Sequence, residues 1–426
     1  MPVEEAIRVH PRFSVAQIGA RRDYAVPCAL QGAAVLSCLY TDFCVNGTLL
    51  ELVGRAIPSW CKVGPPGRLL TRQVPGVPSA RMQRFPRFAL LKAFRSGGVQ
   101  SKDARIGRWV ELNRRFCGLV RRHLTGDRAD GFYVFNGAGL EILTYCRERG
   151  LCGVLDQTIA PISYEQQLLD EERDRWPQWF FGQGTHSAEA EELSKRERQE
   201  WKLADRIICG SEFVRSAVDA EGGPREKCAV VHYGLREPGK VSLAHDRSGH
   251  RPLHVLFAGT ITPRKGIQYL LSAAKRLGTK RFEFRAVGPL SIPEKAASEL
   301  KSHVAVRRAV PRSAMSGQYA WADVLVHPTL CEGSANVCYE ALGSGVPVVT
   351  TPNAGSVVRD GLDGFIVPIR DPDAIAIKLE MLRRHQQLRV QMSRSAVDRA
   401  SKFTWDDYAG RLLSVLIGGR TSAGDP

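Results

Sequence analysis

Short, nearly uninterrupted apolar runs alternate with amphipathic stretches along this chain, and they fall into two series. The first comprises FSVAQIG at 13–19, GFYVFNG at 131–137, CGVLDQ at 152–157 and ADRIICGS at 204–211. A stretch rich in glycine, proline and charge, REPGKVSLAHDRSGHRP at 236–252, breaks the alternation. The second series runs through LHVLFAG at 253–259, FEFRAVG at 282–288, HVAVR at 303–307, ADVLVHPT at 322–329 and VPVVTT at 346–351. Strands apolar on both faces, with helices between them, predict parallel sheets covered on both sides. The expected protein is α/β, with two doubly wound, Rossmann-like domains at 1–235 and 253–400 joined by a linker at 236–252. Ligands of such sheets sit beyond the carboxyl ends of the strands, so a site is expected in the central cleft where the domains face each other.

The longest uncharged run, YAVPCALQGAAVLSCLY at 24–40, is short for a membrane span and contains Pro27, Gln31, Gly32 and Ser37. It reads as a helix buried on a sheet. The terminal GGRTSAGDP at 418–426 is expected to be disordered.

Chemistry concentrates in LCEGSANVCYEALGSGVPVV at 330–349, which follows a predicted buried strand. Asn336 can cap a helix from about Val337 to Ser344, which puts Glu332 in the cleft and Glu340 one turn into the helix. The amides of Gly333, Ser334, Ala335, Asn336 and Val337 gather at that helix's positive end, a place that favours phosphate and sugar oxygens. A carboxylate there can accept two hydroxyl hydrogens from a vicinal diol, so two glutamates suit two sugars. Spacing alone favours the plainer reading, in which one glutamate caps a helix and the other is surface charge. VLFAGTITPRKG at 255–266 adds Gly259, Thr260, Arg264 and Lys265 at the end of another strand. A Lys/Arg pair in that position can meet the charge that develops on a departing diphosphate.

With these residues assembled, the chain resembles the nucleotide-sugar-dependent glycosyltransferases of family 4 over roughly 131–416. The resemblance is carried by RQEWKLADRIICGSEFVRSAV, AVVHYGL, the Arg264-Lys265-Gly266 strand end, WADVLVHPT, the Glu332 to Glu340 stretch with ALGSGVPVVTTPNAG, VRDGLDGFIVP and FTWDDYAGRLLSVL. It implies the GT-B fold, with a C-terminal helix at 401–417 crossing back to the first domain. By that likeness Glu340 would hold the nucleotide ribose and Glu332, with the amides of Gly333 to Ala335, the donor sugar. Lys265 and Arg264 would hold the diphosphate. The activity implied is hexosyl transfer from a nucleotide-diphosphate sugar to a glycan, a lipid-linked sugar or a small molecule. It would proceed with retained anomeric configuration, without a metal or other cofactor. Three departures stand out: Thr260 replaces a frequent arginine, GARRDYAVP at 19–27 replaces a glycine pair, and Asp156 with Gln157 replaces a histidine. Asp156 is therefore the acceptor-side candidate.

Composition modifies this picture at a few points. The net charge of +16 is concentrated at 62–122, where 15 Lys and Arg face only Asp103 and Glu111. Phe85, Phe88, Leu90, Leu91, Phe94 and Trp109 lie among those cations, a mixture that suits peripheral contact with an anionic membrane and equally a solvated face. Nucleic acid is not expected as a partner. Eleven scattered cysteines without a C-x-x-C pair point to reduced thiols and a cytoplasmic setting, at most peripheral at the inner membrane face. Asp371-Pro372-Asp373 matches the Asp-x-Asp formula of metal-binding transferases but opens a helical pattern, so it reads as a cap. A dinucleotide oxidoreductase would need a glycine fingerprint, and NGAGLEI at 136–142 lacks its third small residue. The remaining alternative is a catalytically degenerate scaffold that binds polyanions or membranes.

Overall fold

The computed structural model describes residues 10–47, 72–95, 102–182, 187–235 and 251–418. The expected linker, apart from its last two residues, the tail from 419, and 62–71 and 96–101 of the basic segment lie outside the described residues.

Seven strands form the first sheet: β1 (Phe13–Gln17), β2 (Leu36–Thr41), β3 (Met82–Arg84), β4 (Gly131–Phe135), β5 (Cys152–Gln157), β6 (Arg206–Cys209) and β7 (Cys228–Val230). Their order is β3-β2-β1-β4-β5-β6-β7. The second sheet holds β8 (Leu253–Ala258), β9 (Phe282–Val287), β10 (Ala305–Arg307), β11 (Val324–His327), β12 (Val348–Thr350) and β13 (Gly364–Ile366), in the order β10-β9-β8-β11-β12-β13. All pairings between these strands are parallel. In each sheet the chain reverses its winding direction once, between β1 and β4 and between β8 and β11, and the crevices of a doubly wound fold open at those two points.

The run at 24–40 is not one helix. It splits into the helix Ala25–Gly32 and strand β2, separated by a tight turn in which Ala34 adopts φ 59°. Its apolar character serves two buried elements, which a hydropathy run cannot distinguish from one. No helix among the described residues is long and apolar enough to cross a membrane.

The basic segment also differs from expectation. Phe85 and Phe88 are buried against Phe116 in the core of the first domain, so they are not available to a membrane. Arg72 and Lys92 both pair with the buried Asp42, at 3.1 and 2.8 Å. Leu90 and Leu91 remain exposed on the helix Pro86–Arg95.

Two structures tie the domains together. The helix Trp405–Ile417 starts from a capping box in which Thr404 and Asp407 exchange hydrogen bonds, and it buries Tyr408, Leu412 and Leu416. It packs along Ala25–Gly32. Its last carbonyls, Val415 and Leu416, accept from Arg206 at 2.6 and 2.7 Å, so a cation closes the negative end of the helix. The second tie is Glu172 at the end of the helix Ile162–Arg175. Its fully buried carboxylate accepts from Gln268 (2.8 Å), Tyr269 (2.7 Å) and Arg370 (2.5 Å), all in the second domain. Trp179, just beyond, is buried in the second domain's core, and Trp176 meets Tyr269 edge-on.

Removing the Glu172 carboxylate takes the buried acceptor from Tyr269 and Gln268, while Arg370 keeps Glu171 at 2.6 Å. Glu172→Ala is therefore expected to destabilise the protein by about 1 to 3 kcal/mol. Urea unfolding followed by tryptophan fluorescence checks this, and an unchanged midpoint would mean that the latch carries no load.

Candidate active site

The second-domain half of the cleft is built where two loops touch. After β8 the chain passes Gly259 at φ 122° and the half-buried Thr260, then makes a short turn at Pro263–Lys265 that ends on Gly266 at φ 72°. A Cβ on Gly266 would lie 1.8 Å from the Pro328 carbonyl, so only glycine lets this loop lie against the one after β11. The Arg264 carbonyl then accepts from Leu330 N at 2.9 Å and Thr329 Oγ1 at 3.1 Å, fixing the two loops together.

This contact brings Glu332 within 2.9 Å of Lys265 Nζ and 3.6 Å of Arg264 Nη1. Arg264 also donates to the Cys331 carbonyl. Burial pushes the Glu332 carboxyl up, but Arg264 and Lys265 more than reverse this and hold it below the usual range. His327 lies beneath them, fully buried, with Nε2 3.9 Å from Glu332. Burial and the neighbouring Lys265 drive its imidazole down to about 3, so it is neutral.

The helix after this loop runs Asn336–Gly343, with Ala335 rather than Asn336 at the cap and no side chain capping it. The five expected amides are not equivalent, because Ala335 N is spent on the Ala354 carbonyl. Asn336 and Val337 open the helix, where backbone N–H groups have no intrahelical partner. The Ser334 hydroxyl donates to the Gly355 carbonyl at 2.9 Å and also lies 2.9 Å from Tyr339 Oη. It serves the loop's shape. Glu340 accepts from Tyr319 Oη at 2.8 Å and lies 3.6 Å from Arg312, which also pairs with Asp23 of the first domain at 2.8 Å.

Glycines set the width of the cleft. A Cβ on Gly333 would lie 1.8 Å from the Thr158 carbonyl, and one on Gly355 would lie 2.3 Å from Ser211 Oγ. Ser211 donates that hydroxyl to the Gly333 carbonyl while also capping the helix Glu212–Ala220. The loop after β11 therefore rests directly on the ends of β5 and β6.

On the first-domain side the structure gives Asp156 a different role from the expected one. It is fully buried, and its oxygens accept from Arg22 and Tyr133, each at 2.6 Å. Arg22 also donates to Tyr233 (2.7 Å) and Tyr408 (3.0 Å) and stacks over the Tyr233 ring. Burial lowers its pKa, but Asp156 and the tyrosines more than restore it, so the guanidinium stays charged. Asp156 thus anchors the loop after β1, and Arg21 of that loop lines a cavity of about 460 Å³ at the ends of β4 and β5. Sequence reasoning missed Arg21, Arg22, Asp23, Arg312 and Tyr319. The signal within reach was RRDY itself, which occupies a turn where glycine was expected.

Two further motifs resolve locally. Asp371 caps the helix Pro372–Arg384 by accepting from Ala374 N at 2.8 Å, and Asp373 pairs with Arg276. The amides of Gly137 and Gly139 both donate to the buried Glu200, at 2.6 and 2.9 Å. A carboxylate of the chain itself fills the place where a dinucleotide phosphate would sit.

The arrangement has counterparts among known proteins. The fold is GT-B: sucrose-phosphate synthase of Thermosynechococcus elongatus superposes with a TM-score of 0.64 at 14% identity, covering 95% of this chain and 98% of that one. HepE of Anabaena, in complex with UDP and glucose, gives 0.59 at 13%, covering 96% and 99%. Residues 252–385 match the family model for glycosyl transferases group 1. Among curated proteins, the D-inositol 3-phosphate glycosyltransferase of Corynebacterium efficiens is 28% identical over 258 residues, 52% of this chain and 61% of that protein. The enzyme of that name from Streptomyces avermitilis is 33% identical over 238 residues, 50% and 51%. The chain thus spans between half and two thirds of the length of these relatives.

A histidine held neutral by burial is protonated once the chain unfolds, near pH 6.5. The unfolded state therefore binds more protons, and stability that is full above pH 6.5 falls as the pH drops toward about 3. The depressed pKa of Glu332 acts in the same direction at lower pH. His327→Leu should flatten the fall in urea midpoint between pH 6.5 and 4, and parallel curves for the two proteins would refute it.

Proposed function

We propose that this protein is a glycosyltransferase of family 4 that moves a hexose from a nucleotide-diphosphate sugar to an acceptor hydroxyl with retention of configuration. The observation that carries this reading is the cluster of Arg264, Lys265 and Glu332 beside an uncapped helix end, with Glu340 one turn along, at the crevice of the second sheet. The match of residues 252–385 to a glycosyl transferase model falls on this same half. HepE, of the same fold, was crystallised with UDP-glucose, which makes that sugar nucleotide the first donor to try.

In this reading Glu340 accepts the two ribose hydroxyls, and the open amides of Asn336 and Val337 face the diphosphate. Glu332 holds Lys265 and Arg264 in place before the donor arrives and then accepts from a hydroxyl of the sugar. As the bond between sugar and phosphate breaks, charge grows on the departing oxygen, and the two fixed cations stabilise it without reorganising. They supply the charge a metal provides in other transferases. The acceptor attacks from the face the phosphate leaves, and that phosphate takes the acceptor's proton, so no enzyme nucleophile is required.

Glu340→Gln replaces a charged acceptor by a neutral amide and should weaken donor binding by about 1 to 3 kcal/mol. Titration calorimetry with UDP-glucose and other sugar nucleotides tests this, and unchanged affinity in a folded variant removes Glu340 from the site. Lys265→Ala should act mainly on turnover, raising the barrier by about 2.7 to 4 kcal/mol. Steady-state kinetics would instead show a higher KM at constant kcat if Lys265 only anchors the ground state.

A further inference from the structure

The cavity at the ends of β4 and β5 is lined by a cation, Arg21, that has no direct ion-pair partner among the described residues. Its volume of about 460 Å³ falls within the range of small-ligand sites, about 300 to 1,000 Å³. Arg21 lines it, with its guanidinium 5.0 Å from the centre of the Phe135 ring. Among the described residues no carboxylate or carbonyl forms an ion pair or hydrogen bond with that guanidinium. Arg105 stands exposed on the rim.

The acids nearby do not cancel this charge. Asp156 acts on Arg21 through space, but its direct partner is Arg22, at 2.6 Å. Glu197 is buried and committed to Ile162 N, Asn136 Nδ2 and Gln157 Nε2, and burial raises its pKa despite those donors. Glu165, also on the lining, acts on Arg264 of the donor side. A guanidinium cannot shed its proton, so a shielded and unpaired one is costly until an anion joins it.

The position of the cavity identifies the anion's role. Its wall includes Thr158, whose carbonyl touches Gly333 of the donor-side loop, so a molecule in the cavity lies next to the donor sugar's expected place. Trp109, packed over Gly137, supplies an apolar wall suited to a sugar or polyol ring. We propose that this cavity binds an acceptor bearing a phosphate or carboxylate, gripped by Arg21 with Arg105 closing from the rim. The proposal rests on the transferase reading above and names the acceptor's class.

The test is titration calorimetry on the full chain with saturating UDP, using inositol 3-phosphate, glucose 6-phosphate and glucuronate against uncharged inositol and glucose. The charged probes should bind more tightly than their uncharged parents, and Arg21→Gln should weaken them by about tenfold or more while leaving UDP affinity intact. Vesicles containing phosphatidylinositol 4-phosphate repeat the measurement for a phosphate on a lipid headgroup. Arg21-dependent binding in either arm supports the proposal. If UDP binds but charged and uncharged probes do not differ, or if Arg21→Gln changes neither arm, the proposal falls while the donor site stands. Failure of UDP itself to bind would sink the transferase reading instead. Should Arg21→Gln not fold, Arg105→Gln on the exposed rim decides, with a loss of about threefold expected for the charged probes and no change overturning the proposal.

Discussion

The buried pair of Arg22 and Asp156, at 2.6 Å, is the interaction on which the shape of the cleft depends. Arg22, Asp23 and Tyr24 all lie in the left-handed region, at φ 49°, 52° and 64°, where residues with a Cβ cost of order 1 to 3 kcal/mol each. Such a turn persists only if its surroundings over-determine it. Here Arg22 is held by Asp156 of β5, by Tyr233 after β7 and by Tyr408 of the C-terminal helix, and the Tyr133 hydroxyl of β4 fills the other carboxylate oxygen. One guanidinium thereby fixes the loop after β1, the docking of the helix Trp405–Ile417 and the outward placement of its neighbours Arg21 and Asp23. With glycines in this turn the backbone would be relaxed, but no side chain would be delivered to the cavity or across the cleft.

The contacts between domains differ in strength along the cleft. Glu172 is fully buried, with three donors from the second domain, and loss of Arg370 would leave its carboxylate without a cation in a low dielectric. Across the cleft, Arg312 joins Asp23 and Glu340 while its side chain is 59% exposed, and pairs of that kind contribute about 0 to 1 kcal/mol. The bridge at Glu340 is therefore the one a ligand can displace without disturbing the fold. Gly333 and Gly355 set how closely the loops approach, through backbone contact that no longer side chain would permit.

Much of this was legible in the sequence. Strands apolar on both faces announced two parallel sheets, and Arg264, Lys265 and Glu332 were placed together by their positions at strand ends, with Glu340 one turn into the helix that follows. What the sequence hid depends on long-range pairing. Asp156 looked like an acceptor-side carboxylate because its partner lies 134 residues earlier, in a turn with no glycine to mark it. Phe85 and Phe88 sit among cations in sequence, yet the helix Lys102–Arg121 covers them with Phe116. Arg312 and Arg21 resemble ordinary surface arginines until the domains are folded against each other. Local pattern fixes elements; which charge meets which is a property of the assembled cleft.

The two sheets share a winding order but treat their crevices in opposite ways. At the first, the helix Leu140–Arg149 presents the amides of Gly137 and Gly139 just as a phosphate site would, yet Glu200 occupies both. Burial pushes that carboxyl up to about 8, against the pull of Arg196 and the amides, and by occupying both amides it leaves neither free for an anion. At the second, the helix Asn336–Gly343 has no side-chain cap, and two cations stand beside it. Electrostatics therefore favour an anion at the crevice of the second sheet over that of the first. On the first domain a cation stands in the cavity itself, at Arg21, one loop away from the filled amides.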